Sequence, residues 1–325
     1  MYKKSCLITF YAETPVHMGA GQSVSYVDNP VQRERHTNFP ILWSSGIKGV
    51  LRDMAMREWN DKDKKDKNDK DKKDKVEIIF GPEDGSSDFA SCISITDAKI
   101  LLYPVRSMRG VFAWITCPFV LRRFKEDLKA VGIDLNVQIF DVSDDKVLVS
   151  NSSALKIDNN QVVLEEFVFE VDNSNNHNNQ NADNLAKEIF QFLPQLEFGN
   201  NEEEKKKFLK DHLAIVSDNV FVDFVNYAVE IRTRIRIDQA TGTVKERALF
   251  SEELIPSESV FYSIMFITNP FKQNASISNV DSVYSEMKNL FENSSLFQLG
   301  GDETLGKGLM KVKFCEGNKQ QSHKE

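Results

Sequence analysis

The sequence is short of the residues from which several kinds of site are built. Its 325 residues include only four cysteines, five histidines and three tryptophans. Cys6, Cys92, Cys117 and Cys315 lie far apart, form no Cys-x-x-Cys pair and sit mostly in strand-like apolar surroundings. That argues against zinc ribbons and disulfide frameworks, and buried free thiols in a reducing cytoplasm are expected. Long hydrophobic runs are also missing. The longest, near Phe112 to Leu121, falls far short of the ~20 residues needed to cross a bilayer. The N-terminal MYKKSCLITFYAETP is interrupted by Thr9 and ended by Glu13, so it does not read as a signal peptide. A soluble, cytoplasmic protein with no membrane partner is expected. Positive charge is not in excess either. A net charge of −8 rules out holding nucleic acid by being basic overall, so any such site must be local.

What is present is concentrated first in Thr14 to Arg52. Cys6 to Ala12 reads as a strand, rich in Ile, Phe, Tyr and Thr. Thr14 and Pro15 end it, and His17 follows at once. From Gly19 to Pro40 neither helical nor strand periodicity is sustained, so this is a long loop. It is dense in specific polar groups: Asp28, then the basic run Arg33, Arg35 and His36. Such density suits a binding loop better than a spacer. Ser44 and Ser45 can cap a helix with Ile47, Val50, Leu51 and Met54 at helical spacing. Lys48, Arg52 and Arg57 lie elsewhere on its surface. Ser45, Gly46 and Gly49 would let a phosphate approach the amides at its N-terminus. A plainly capped amphipathic helix explains the same residues.

Two stretches are unfit to pack. Asp61 to Lys75 holds eight lysines, six aspartates and one asparagine, so 60–75 is expected to be a disordered, solvated insertion. Asn173 to Asn184 reads as a mobile Asn-rich loop. Order is expected at Val76 to Phe80, then the GPEDGSSD turn and a strand at Ile93 to Leu102. A helix is expected at Phe119 to Leu128, a strand pair at Val137 to Val149 and Gln161 to Val171, and helices at Leu185 to Leu196 and Glu202 to His212. A strand at Val260 to Ile267 and a helix at Val280 to Phe291 follow.

The second concentration is IRTRIRI, Ile231 to Ile237. Its strict alternation puts the isoleucines and Thr233 on one face and Arg232, Arg234 and Arg236 on the other. The apolar face is expected to pack and the cationic row to meet a phosphate backbone. A turn at Asp238 to Gly242 and a return strand through Thr243 to Phe250 lead to the acidic Glu252 and Glu253. Near the C-terminus, LGGDETLGKGLMKVKF carries Gly300, Gly301 and Lys307 in a glycine-rich loop that leads into a strand. Phosphate-binding loops of nucleotide enzymes lead into a helix instead. A backbone path close to a polynucleotide fits this order better.

Five of these segments carry a family resemblance: Thr14 to Gly21 (TPVHMGAG), Val27 to Thr37 (VDNPVQRERHT), Ser45 to Arg52 (SGIKGVLR), Arg236 to Gly242 (RIDQATG) and Leu299 to Gly308 (LGGDETLGKG). Together they resemble the repeat-associated mysterious proteins of CRISPR systems, and most of all the backbone subunits of type III-B effector complexes, the fourth subunit of the Cmr module. The likeness spans nearly the whole chain apart from the Lys/Asp and Asn-rich insertions. It implies an α+β fold with a modified ferredoxin-like palm of the RNA-recognition-motif type and a projecting β-hairpin thumb, around 231–256, in a single domain. It further implies copies stacked as a helical filament on guide CRISPR RNA beside other Cmr subunits, each thumb displacing a base pair of the guide–target duplex. Target RNA is then cut beside each gap, with a divalent metal, magnesium or manganese.

By the same resemblance Asp28 is the catalytic aspartate, binding metal or positioning the 2′-hydroxyl. His17 is a proton-transfer or RNA-contact residue, and Glu252 is the acidic residue after the thumb, with Glu253 its near alternative. Arg33, Arg35, His36, Ser45, Lys48, Arg52, Arg232, Arg234, Arg236, Gly300, Gly301 and Lys307 are expected to hold RNA. Leu254 departs from the pattern, where a tyrosine is expected. Two other readings remain: a structural RNA-binding backbone that leaves cutting to another component, and a nuclease processing the guide precursor. The latter would need a histidine-centred, metal-free site, for which the chain has few histidines.

Overall fold

A computed structural model describes residues 2–22, 26–59, 69–83, 89–158, 160–172, 176–272, 277–294 and 296–317. In chain order its elements are β1 (Lys4–Ala12), β2 (Ile41–Leu42), α1 (Ser44–Glu58), α2 (Asp69–Phe80), β3 (Ile93–Ile95), β4 (Ala98–Arg106), β5 (Phe112–Thr116) and α3 (Pro118–Ala130). Next come β6 (Lys146–Val149), β7 (Lys156–Ile157), β8 (Gln161–Leu164), β9 (Phe167–Val171), α4 (Asn176–Phe190), α5 (Glu202–His212), β10 (Leu213–Ile215) and α6 (Asp218–Tyr227). The chain closes with β11 (Glu230–Ile237), β12 (Val244–Leu254), β13 (Val260–Ile267), α7 (Val280–Asn293), β14 (Leu296–Gln298) and β15 (Leu309–Glu316).

One large mixed sheet runs β14-β15-β1-β13-β4-β5-β10-β6-β9-β8-β7, with β2 on β4 and β3 on β13. At its centre β15, β1, β13 and β4 are mutually antiparallel. β1 is buried from Cys6 to Ala12, because both its faces are covered, and so it reads as a continuous rather than an alternating apolar run. Ile47, Leu51 and Ala55 bury one stripe of α1, and α7 packs on β13, β15 and α1. Phe124 of α3 meets Tyr262 of β13 edge-on, with ring centroids 4.8 Å apart. Beyond β5, stacked Phe198 and Phe208 join Trp114 and Phe112 in an aromatic cluster that seats α5. β11 and β12 form a separate two-stranded sheet.

Several expectations change. The part of the Lys/Asp stretch from Asp69 to Lys75 forms the start of α2, continuing into the buried Val76, Ile78 and Ile79. Residues 60–68 lie outside the described residues, as do 84–88 of the expected turn. Asn-rich residues from Asn176 onward belong to α4, because Ala182, Leu185, Ala186 and Ile189 supply a buried stripe at helical spacing. Residues 173–175 of that stretch lie outside the described residues. Only the end of Val137 to Val149 is a strand, since the polar run through Asp141, Ser143, Asp144 and Asp145 has nothing to bury. Gln161 to Val171 is a hairpin turning at Glu165, whose φ is +50°. The cysteines are free as expected, with Cys6, Cys92 and Cys117 buried and Cys315 partly so.

Candidate active site

After β1 the chain stays bonded to its surroundings. Val16 and Ile255 exchange backbone hydrogen bonds, each 2.9 Å. Asn29 N donates to Ser251 O, and Glu253 N donates to Asn29 O, both 3.0 Å. Met18 O accepts from Gln32 N at 2.8 Å. The long loop is thereby zipped along the foot of β12, and its backbone groups find partners without forming a strand.

That zipper brings the candidate chemical residues together. Asp28 Oδ2 accepts from Ser251 N at 2.7 Å and from Ser251 Oγ at 2.8 Å. These bonds, from the backbone amide first and the hydroxyl second, hold its carboxyl below the ordinary aspartate value although the residue is exposed. One residue along, the bridge between Asn29 and Glu252 fixes the register of Asp28 against the acidic pair.

Successive residues of a strand point to opposite sides, and this separates Glu252 from Glu253. Glu253 Oε2 accepts from Val31 N at 2.9 Å and Oε1 from Arg33 at 2.5 Å. Glu253 is therefore a clasp between loop and hairpin. Glu252, only 4% exposed, faces His17, with Oε1 3.7 Å from Nε2. Arg234 Nη2 lies 2.9 Å from Glu252 Oε2, an ion-pair contact without hydrogen-bond alignment, since that oxygen has no hydrogen-bond partner among the described residues. Arg234 instead forks onto Asp302, with bonds of 3.0 and 2.5 Å. Burial first, and then the hydrogen bond shared with Asp302, raise the Glu252 carboxyl. Burial works to raise Asp302 too, but the Arg234 fork and the same shared bond outweigh it and hold Asp302 low. Of the two carboxyls, Glu252 is therefore the one that takes up a proton first as pH falls.

His17 is held from three sides. Its Nδ1 lies 2.8 Å from Glu253 O, and a carbonyl only accepts, so Nδ1 carries a proton and Nε2 is the nitrogen left to accept or release one. Gly301 N donates to His17 O at 2.9 Å. At Gly300, φ is +90° and an added Cβ would stand 2.4 Å from His17 O. A Cβ at Gly19 would stand 2.9 Å from His17 Nε2. The glycines expected to let RNA approach thus serve first to cage this histidine.

The remaining expected RNA contacts divide. Arg33 is turned inward, bonding Glu253, Asn38 O, Val225 O and Asn226. Arg35 and His36 are exposed, and Arg35 has no side-chain partner among the described residues. The α1 amide Ser44 N donates to Asp97 Oδ1 at 2.7 Å rather than standing open. Ser45 stays exposed. Burial, then neighbouring Arg52, pushes the Lys48 ammonium down, and Arg52 bonds Gly81 O at 3.0 Å. On the hairpin Arg236 is exposed, Arg232 is exposed beside Glu230, and Arg234 is drawn into the site. Lys307 is buried. The isoleucine face does not pack: Ile231, Ile235 and Ile237 are each about half exposed, because the hairpin leaves the body with no layer opposite it. Leu254, standing where tyrosine was expected, is fully buried and offers no hydroxyl.

Sequence reading missed Ser251 and Asp302. Ser251 had no signal of its own. Asp302 stood within the glycine loop, but nothing local ties it to an arginine 68 residues earlier. Among the described residues no three His, Cys, Asp or Glu are grouped to hold a divalent metal. Asp28 has already given one oxygen to Ser251.

Residues 9–311 match the RAMP superfamily. The chain is 37% identical over 316 residues, 96% of each chain, to the CRISPR system Cmr endoribonuclease Cmr4 of Pyrococcus furiosus. It superposes on the crystal structure of oligomeric Cmr4 from that organism with a TM-score of 0.68 and 32% identity, covering 97% of this chain and 99% of the other. A subunit in the cryo-EM structure of type III-B Cmr-beta bound to cognate target RNA shares the fold at TM-score 0.68 and 21% identity, covering 96% and 98%. The chain belongs to the RAMP superfamily, within its Cmr4 family.

Proposed function

We propose that this chain is the repeating backbone subunit of a type III-B CRISPR effector complex, which holds guide RNA along a filament of its own copies, joins other Cmr subunits and cleaves complementary target RNA. The reading rests on one observation above all. In a chain 37% identical to a Cmr endoribonuclease over 96% of its length, Asp28 is kept exposed and ionised at the foot of the hairpin, in register with Glu252 and its neighbour His17.

The succession β1-α1-β4-β13-α7-β15, with sheet order β15-β1-β13-β4, supports a ferredoxin-like palm. The β11–β12 hairpin is the thumb. Its exposed isoleucines and Leu249 suit insertion beside stacked bases, and Arg232 and Arg236 suit the backbone next to them.

Cleavage through the 2′-hydroxyl needs in-line geometry and a place for that proton. Asp28, with one oxygen occupied by Ser251, turns the other to a substrate hydroxyl. His17, with its proton fixed on Nδ1, accepts at Nε2. Glu252, whose carboxyl burial pushes up, stands beside it to pass a proton to the leaving oxygen. Magnesium or manganese remains an expectation of the family resemblance. One subunit's residues do not assemble a donor set for it, and no step here passes through it.

The test is a target-cleavage ladder from the reconstituted complex. Products spaced at regular intervals are expected. Intact target, with guide and target both bound, would favour the non-catalytic backbone.

A further inference from the structure

Around Asp28 the chain alternates between water and core. Tyr26 is 82% exposed, Val27 is buried, and Asp28 is exposed again. Two residues of chain span at most about 7 Å, so the Tyr26 ring and the Asp28 carboxylate can both meet one nucleotide. The Tyr26 side chain has no hydrogen bond or ring contact among the described residues.

The hairpin extends this surface. Ser251, which anchors Asp28, lies opposite Thr233, and Leu249 lies opposite Ile235. Alternate residues of a strand share a face, as do residues directly opposite each other. Leu249 and Ile235 therefore stand on the face that carries Ser251 and holds Asp28, and both are exposed. At the bridge between Asn29 and Glu252 the loop and β12 run parallel. Tyr26 and Leu249, each three residues before that bridge, consequently lie toward the same end of it.

An exposed ring and two exposed aliphatic side chains beside a polar site mark an apolar contact surface. Every nucleobase has a π-face, and aromatic side chains stack on it with little regard to sequence. A carboxylate that must meet a 2′-hydroxyl in line gains from a second hold on the same nucleotide, because a small misplacement costs much of the rate.

We propose, on the cleavage reading above, that Tyr26 stacks on the target nucleobase beside the cut linkage, flanked by Leu249 and Ile235, and so sets the neighbouring ribose against Asp28. Tyr26 is then a substrate-positioning residue that handles no proton itself.

Single-turnover cleavage by the reconstituted complex, in saturating excess over target, tests this with Tyr26→Ala, Tyr26→Phe and targets carrying an abasic nucleotide on one or the other side of each cut. On intact target Tyr26→Ala should cut at least about five-fold more slowly, the low end of what losing a base–aromatic stack costs. Tyr26→Phe, which keeps the ring, should retain most of the rate. One of the two abasic targets should slow wild type by a similar factor and slow Tyr26→Ala no further, since both changes remove one contact. A wild-type rate for Tyr26→Ala, a Tyr26→Phe as slow as Tyr26→Ala, or additive losses on both abasic targets overturns the stacking role while cleavage itself stands. A loss confined to target affinity, with the saturated rate unchanged, overturns the positioning role. Target left intact by the wild-type complex overturns the cleavage reading and the role of Tyr26 with it.

Discussion

The site packed against the foot of the β11–β12 hairpin and the hairpin's solvent-facing surface carry similar residues and treat them in opposite ways. At the foot, Arg33, Arg234, Glu253 and Asp302 are all joined to one another or to backbone, most of them withdrawn from water. On the hairpin's solvent-facing surface, Arg236 and the isoleucines stand in solvent, and Arg232, although level with Glu252, is exposed beside Glu230. Charges paired inside the fold position other groups and supply stability. Charges and apolar side chains left outside are available to a partner. The alternating arginine row is therefore not one functional unit, since its middle member belongs to the site and its outer members to the surface.

The difference yields an order of effects. Arg33→Ala strands Glu253 and should cost about 3–5 kcal/mol, as loss of one partner from a buried pair does. At roughly 2–4 °C per kcal/mol for a large domain, that is a clear drop in Tm. Arg35→Ala should leave Tm unchanged. Equal melts for the two variants would erase the distinction between inward and outward arginines.

Gly300→Ala forces a Cβ against the His17 carbonyl at positive φ. It should reduce target cleavage about 10–100-fold through displacement of His17, the scale of a misplaced catalytic group, with guide RNA still bound. Unchanged cleavage would detach the glycine loop from the site.

The pH dependence gives a third, smaller test. Burial raises the Glu252 carboxyl above 4.5, so the stability it contributes is present below that value and is lost as pH rises through the raised value. Asp28 and Asp302 act in the opposite sense, contributing above 3.8 and losing it as pH falls. Glu252→Gln removes the first dependence, and what it changes at Asp302 falls at pH below 3.8. Its Tm relative to wild type should therefore climb as pH rises from 4.5, and a constant difference would place the proton elsewhere.

The smallest effect is expected at the surface. Arg232→Gln combined with Arg236→Gln should weaken RNA binding a few-fold and lower its salt slope by about 1 per lost phosphate contact, with Tm unaffected. A salt slope equal to wild type would remove the hairpin from the RNA interface.

Much of this was legible in the sequence. The buried strand at Cys6 to Ala12, the α1 stripe and the IRTRIRI alternation are local patterns, and local patterns set local structure. The prominence of His17, Asp28 and Glu252 came from a resemblance rather than from periodicity. What the sequence could not disclose depends on distance along the chain. Asp97 caps α1, Arg234 reaches Asp302, and Ser251 anchors Asp28 only once the long loop has zipped against β12. The isoleucine face misled because alternation reveals two faces without saying whether anything lies opposite either. The Asn-rich start of α4 misled because a buried stripe further along the helix outweighed its composition.

The central claim is that Asp28, anchored by Ser251 at the foot of the hairpin, takes part in cutting RNA. Target cleavage by a complex reconstituted with Asp28→Asn, which keeps the side chain's size and one carbonyl oxygen for Ser251, tests it most directly. Normal assembly, normal guide and target binding, and cleavage reduced by about 10²–10⁴, the usual contribution of a proton-handling group, are expected. Cleavage at the wild-type rate by that complex would contradict it.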